Sequence, residues 1–305
     1  MSNSNNVGAD LKPGPYQVWS SRLAAGERLT PAEIGELAST HDILAVGMLA
    51  DEVRRRTHGT RVTFARVACC PFDKPLAEAV PLTAREVRLT GTPESLDVAV
   101  TAVRSAKAVA GARLLSGFSL ADLQAVADGE PLKQLLRRLR EQGLEMIAEM
   151  PIDKLPSPEA ALEALAAAGY ERVRLTMARP GPAERVPALL RAVELSERFP
   201  HVQAINPLPL SLATFRPTTG YEDVKIVALA RLAAPERVRI QVDWQRYGPK
   251  LAQVALTFGA DDLDNVSPSD EAPEGRRRAP LEELRRNVEA AGFTPVERDG
   301  RFVTS

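Results

Sequence analysis

Residues 238–266, VRIQVDWQRYGPKLAQVALTFGADDLDNV, set a strand, a polar strand end, a helix and a second strand in immediate succession. Val238 to Asp243 is an apolar, β-branched run that stops at Asp243 and Trp244. From Tyr247 to Phe258 the apolar positions Leu251, Val254, Ala255 and Phe258 fall at helical spacing. Ala260 to Val266 then opens the next strand. Alone, the stretch reads as two units of a β/α barrel, because a strand followed by a packed helix returns to a parallel neighbour through a right-handed crossover.

Working outward, the same rhythm recurs. Strand-like runs lie at Arg61–Val67, Glu86–Thr90, Ala112–Ser116, Leu144–Glu149, Arg172–Thr176, Val202–Asn206, Val238–Asp243 and Ala260–Val266. Amphipathic segments such as Glu94–Val109, Pro158–Ala168, Ala183–Arg198 and Tyr221–Ala233 separate most of them. Eight such units predict a (β/α)8 TIM-type barrel, which needs about 250 residues. Ala68 to Arg85 carries Pro71, Pro75 and Pro81. That first crossover therefore holds a short helix at best and is the shortest of the barrel. Between the third and fourth strands, Leu120–Ala127 and Leu132–Gln142 read as two helices around an Asp128-Gly129 turn.

Two helices are expected before the first strand. Thr30, Pro31 and Glu33 form a capping-box signature for a helix reaching about Ser39, and His41–Thr57 is a second helix closed by Gly59. At the other end Leu281–Ala291 is stopped by Gly292, and Val296–Val303 with Asp299-Gly300 reads as a hairpin. Residues 1–20 read as a disordered tail, and residues 21–305 as a single barrel domain.

Composition narrows the function. With 44% hydrophobic and 26% charged residues the 305-residue chain has an ordinary globular make-up. Its net charge of -1 gives no global field toward nucleic acid or anionic lipid. The densest basic run, Arg276-Arg277-Arg278, is flanked by Glu271, Glu274, Glu282 and Glu283 and reads as a solvated loop. No window approaches the roughly 20 apolar residues of a membrane span, and the N-terminus lacks the basic and apolar regions of a signal peptide. The only cysteines, Cys69 and Cys70, are adjacent and cannot form an ordinary disulfide. A cytoplasmic protein without nucleic-acid or membrane partners is expected.

In this fold, chemistry sits at the C-terminal strand ends and the loops that follow. Those ends offer Cys69, Cys70, Asp73 and Lys74, then Gly91 and Thr92, Gly117 and Ser119, Glu149 and Asp153, Met177 and Arg179, and Asn206 and Arg216. The seventh and eighth add Asp243, Trp244, Arg246, Tyr247, Asp264, Asn265, Ser267 and Asp270. The candidate pocket is Glu149, Asn206, Asp243, Trp244, Arg246, Tyr247, Asp264 and Asn265. Trp244 and Tyr247 offer flat surface, Arg246 a guanidinium for a carboxylate, and Asp243 an acceptor for hydroxyls. Equally, the aromatics could close the mouth while Asp243 and Arg246 pair with each other. Asp261, Asp262 and Asp264 resemble a hard-cation cluster, but alternation along a strand sends neighbours to opposite faces, so no metal site is expected. His58 and His201 precede strands and His41 lies on the N-terminal helix, so none should reach the mouth as a zinc ligand or base.

Four segments resemble the radical S-adenosylmethionine (SAM) family of aminofutalosine synthase, dehypoxanthine futalosine cyclase and the second subunit of deazaflavin synthase. They are ILAVGMLADEVRRRTHGTRVTF (43–64), AINPLPLSLATFRPTTGYEDVKIVALARL (204–232), IQVDWQRYGPKLAQVALTFGADDLDNV (240–266) and LRRNVEAAGFTPVERDGRF (284–302). The resemblance implies an iron–sulfur cluster held by C-x-x-x-C-x-x-C after the first strand, with SAM on its open iron. That loop here reads ARVACCPFDKPLAEAV (65–80), with two adjacent thiols and no third. The expectation is therefore a degenerate, non-radical barrel related to menaquinone biosynthesis by the futalosine pathway. It would keep a pocket for a nucleoside-like or chorismate-derived molecule, or pair with itself or a catalytic relative. Two other readings stay open: a menaquinone- or deazaflavin-pathway enzyme whose cluster ligands come from a partner, and a repurposed barrel lyase or hydrolase.

Overall fold

A computed structural model describes residues 15–76, 80–211, 220–275 and 277–304. Three helices lead in: α1 (Pro15–Ala24), α2 (Pro31–Ser39) and α3 (Ile43–His58). The first corrects the expected tail, since Pro15 to Ser20 belong to a helix whose Trp19 and Leu23 are buried. Its short, weakly amphipathic sequence gave no periodic signal. The Thr30 capping box forms as expected, whereas α3 begins at Ile43 rather than His41 because the Asp42 side chain accepts from Ala45 N and caps it.

The barrel strands are β1 (Arg61–Pro71), β2 (Glu86–Thr90), β3 (Leu114–Ser119), β4 (Met146–Pro151), β5 (Val173–Met177), β6 (Val202–Pro209), β7 (Arg239–Asp243) and β8 (Asp262–Val266). Each pairs in parallel with its neighbour, and β1 pairs with both β2 and β8, so the sheet closes. The crossovers carry α4 (Leu96–Ala110), then α5 (Leu120–Ala125) and α6 (Leu132–Glu141), then α7 (Pro158–Ala167), α8 (Arg185–Arg198), α9 (Gly220–Ala233) and α10 (Trp244–Thr257). This is the (β/α)8 barrel the sequence predicts. Between Pro71 and Glu86 no helix occurs among the described residues, and that connection is the shortest between consecutive strands.

After β8 come α11 (Pro280–Ala290) and β9 (Thr294–Glu297). The expected hairpin turn is present, with Arg298 bridging Thr304 in antiparallel fashion. In addition β9 pairs in parallel with Arg61–Phe64 of β1, below the point where β2 takes over that edge at Val67. Gly300 in the turn lies against the side chains of Leu114 and Glu86, where an added Cβ would come within 2.8 Å of Leu114 Cβ. The close approach demands glycine there.

Strand β1 is longer than its sequence suggests. It runs through Pro71 because Val67–Pro71 find partners in Glu86–Thr90 of β2. Cys69 and Cys70 consequently sit on a strand, not in a loop, and face opposite ways.

Candidate functional site

At the mouth, β7 and β8 supply a hydrogen-bonded polar group. Asp243 ends β7 and caps α10, its Oδ1 accepting from Arg246 N at 2.9 Å. On β8 the register slips: Phe64 faces Leu263, but Arg66 faces Val266, so two steps on β1 match three on β8. The extra residue is a β-bulge in which Asn265 takes a φ of 58°. Ordinary alternation would turn Asn265 outward, after the inward Asp264; the bulge brings it round to the mouth. Its Nδ2 donates to both oxygens of Asp243, at 3.1 and 3.2 Å, and its Oδ1 accepts from Cys69 Sγ at 3.1 Å. Arg246 reaches Glu149 at 3.4 Å and Asp243 at 3.9 Å.

The other expected pocket residues are placed unevenly. Asn206 is buried, and its Oδ1 accepts from Leu208 N. Tyr247 Oη donates to the Pro209 carbonyl at 2.5 Å, and burial pushes its phenol pKa up. Trp244 is only 4% exposed, which leaves little flat surface for stacking. Arg216 lies outside the described residues, as does Arg276 of the basic run.

Asp264 lies one layer deeper, in a polar core. Arg88 grips it in bidentate fashion at 2.9 and 3.0 Å, and Arg174 donates to it from the other side. Arg88 also binds Glu86 at 2.7 Å, and Ser116 donates to Glu86 at 2.6 Å. Below them Asp262 accepts two bonds from Arg298, at 2.6 and 2.7 Å, and one each from Gln241 and Thr63. Burial alone would raise the Asp264 carboxyl, but Arg174 and Arg88 outweigh it and hold the group well below the usual carboxylate range. Three carboxylates (Glu86, Asp262, Asp264) thus face three guanidinia (Arg88, Arg174, Arg298), all buried. The signal for this layer in the sequence is the alternation of Glu86 and Arg88 on a short strand, away from the strand's C-terminal end.

Asp261, the outward neighbour, binds Arg231 and Arg239 and lies 3.1 Å from His58. The aspartates therefore divide between the two faces as alternation requires. Among the described residues no group of three or more His, Cys, Asp or Glu is arranged to hold a metal ion.

The cluster implied by the resemblance does not fit this chain. Cys69 points into the mouth, whereas Cys70 is buried behind β1 with its Sγ toward Ala68 O. Only one thiol faces the place where three would be needed. Burial pushes that Cys69 thiol up to about 11, opposed by Arg88 and reinforced by Asp264, Glu86 and Asp243.

No family model matches the chain. Over 89 residues it is 42% identical to a 5-amino-6-(D-ribitylamino)uracil–L-tyrosine 4-hydroxyphenyl transferase of Archaeoglobus fulgidus, a match covering 27% of this chain and 26% of that protein. It is 41% identical over 87 residues to the transferase of the same description from Methanopyrus kandleri, covering 26% and 23%. The likeness to these transferases is confined to about a quarter of the chain. The chain spans about a quarter of the length of the curated relatives it matches. Among solved structures it resembles methylornithine synthase, with a TM-score of 0.66 at 18% identity over 91% of this chain and 97% of that one. It also resembles the FeFe-hydrogenase maturase HydG of Carboxydothermus hydrogenoformans, with a TM-score of 0.62 at 14% identity over 92% and 79%. These structural likenesses speak for the fold. The chain has the (β/α)8 fold of these proteins, and its β1 carries two adjacent cysteines and no third.

Proposed function

We propose that this barrel has given up cluster chemistry and keeps its mouth as a binding site for a small polar molecule of the nucleoside-like or chorismate-derived kind. It works in the menaquinone or deazaflavin routes alone or beside a catalytic relative. The observation that carries this reading is the contrast between its first and last strands. On β1 the two thiols point to opposite faces, so the strand cannot hold a cluster. On β7 and β8 a capped, doubly bonded Asp243 and a bulge-borne Asn265 hold a polar surface that an abandoned mouth would have no reason to organise. The ribitylaminouracil named for the transferases has the hydroxyl donors that Asp243 and Glu149 would accept. A repurposed hydrolase using Cys69 is disfavoured, because a thiol held near 11 is protonated at neutral pH.

The test has two arms. The chain, reconstituted anaerobically with iron and sulfide, should hold no stoichiometric four-iron cluster and release no deoxyadenosine from SAM. Deoxyadenosine formation that disappears in Cys69→Ala would overturn the reading. In the second arm, thermal shift against ribitylaminouracil, futalosine-type nucleosides and chorismate derivatives should find a stabilising ligand. Asp243→Asn and Arg246→Met should weaken it. Unchanged affinity in both variants would place the pocket elsewhere.

A further inference from the structure

Between α10 and α11, outside the barrel axis, lies a cavity of about 520 Å³ whose wall carries Lys250, Arg278, Arg286 and Asn287. We propose that it binds the terminal phosphate of a small soluble phosphomonoester. Three observations converge.

The first is the charge. Three cations line the cavity against one lining carboxylate, Glu283, on a chain whose net charge is -1. Arg278 and Arg286 pair with Glu282 at 3.5 and 3.9 Å, and both are exposed. Such loose pairs rearrange readily around a competing dianion.

The second is the backbone. α10 is broken at Gly248, whose φ of 76° and ψ of 161° are not helical, and a new helical run starts with Pro249 at its first position. Gly248 has no side chain to cap the new run. The amides of its first turn, next to Lys250, therefore have a positive helix end to offer an anion in the cavity. Without the break these amides would be spent inside one continuous helix.

The third is the position. In (β/α)8 barrels phosphate is frequently bound by the segments that follow the seventh and eighth strands. This cavity is built from those two segments, α10 after β7 and Arg278 to Asn287 after β8. Tyr247 lines it, and Arg246, the preceding residue, faces the mouth. A ligand with its phosphate here could extend toward Asp243; of the expected mouth residues the cavity shares only Tyr247, whose hydroxyl is spent on the Pro209 carbonyl, so the cavity stands whether or not the mouth binds.

The experiment measures binding to the intact chain by titration calorimetry, with inorganic phosphate and ribose 5-phosphate as probes. Ribose and sodium chloride at matched ionic strength serve as controls. Saturable binding of both phosphates, absent with ribose and chloride, is expected. The double variant Lys250→Met/Arg286→Met should weaken it about tenfold or more, while Lys250→Arg, which keeps the charge, should retain it and so controls for misfolding. No saturable phosphate binding, or equal binding by the double variant, would overturn the proposal. Flotation with phosphatidic-acid vesicles without any response to the soluble phosphates would also overturn it, since it would assign the cavity to a membrane headgroup.

Discussion

Asn265 donates to both carboxylate oxygens of Asp243 from a backbone in the left-handed region, with φ at 58°. A non-glycine residue in that region is held there by its surroundings, and such residues gather where geometry matters for function. Here the bulge converts an outward strand position into the bridge between β1 and β7. Replacing Asn265 by Ala keeps the backbone cost and removes hydrogen bonds to a charged acceptor. Urea unfolding should show a loss of about 1.5–3 kcal/mol, and Asn265→Gly should lose less because it tolerates the φ. Equal stability of wild type and Asn265→Ala would mean the bridge is ornamental.

The inner ion layer predicts strong coupling. Asp264→Asn leaves Arg88 and Arg174 facing a neutral amide, with an expected cost of about 3–5 kcal/mol. Adding Arg174→Met restores charge balance, so the double variant should be less destabilised than the two single changes summed. Strict additivity in denaturant titrations would deny the layer its cooperative character. The pH dependence follows the same groups. Because the folded Asp264 carboxyl is depressed, its contribution is fully present above the unfolded value near about 4 and is lost as pH falls below it. Asp264→Asn should lack that part of the acid limb.

The barrel was legible because its signal is repetitive: eight apolar runs and the helices between them all agree on one period switch. The seventh and eighth units were clearest, since Asp243 marks a strand end and a helix cap together. What stayed hidden depends on pairing across the sheet. The extension of β1 through Cys69 and Cys70 needs β2 as a partner, and the inward turn of Asn265 needs a register slip against β1. Neither is encoded in local propensity. The ion layer escaped for a related reason: Glu86, Arg88, Arg174 and Arg298 are ordinary surface residue types one at a time, and only closure of the barrel brings them together. The helix from Pro15 was missed because it is held by Trp19 and Leu23 packing on the rest of the fold, not by its own periodicity.

The two thiols should differ in reactivity. Cys69 is reachable from the mouth and Cys70 is buried; desolvation by the protein groups packed around each thiol raises both, Cys69 to about 11. Iodoacetamide at pH 7 should label Cys69 first, yet a few hundredfold more slowly than a free cysteine of pKa near 8.5, in line with its smaller thiolate fraction. Cys70 should be modified only on unfolding. Peptide mass spectrometry over a time course checks this. Rapid labelling of Cys69 at neutral pH would show an activated thiol and revive a nucleophilic role for it.

His58 sets the behaviour at mildly acid pH. It is half-buried beside Arg54, Arg231, Arg239 and Asp261 at the N-terminal end of the barrel, 3.1 Å from the Asp261 carboxylate. Burial pushes it down to about 4; Asp261 opposes the shift, and Arg231, Arg239 and Arg54 add to it. The unfolded chain binds that proton near about 6.5. Between those values the unfolded state gains a proton that the folded state refuses, so stability is full above about 6.5, falls as pH drops toward 4, and levels off below. The total is about 3 kcal/mol at most. Urea midpoints at pH 7.5 and 4.5 should therefore differ in the wild type and differ much less in His58→Gln, where nothing titrates in that window at this site. An identical acid loss in both proteins would trace the effect to other groups, and His58 would then be an ordinary packed histidine.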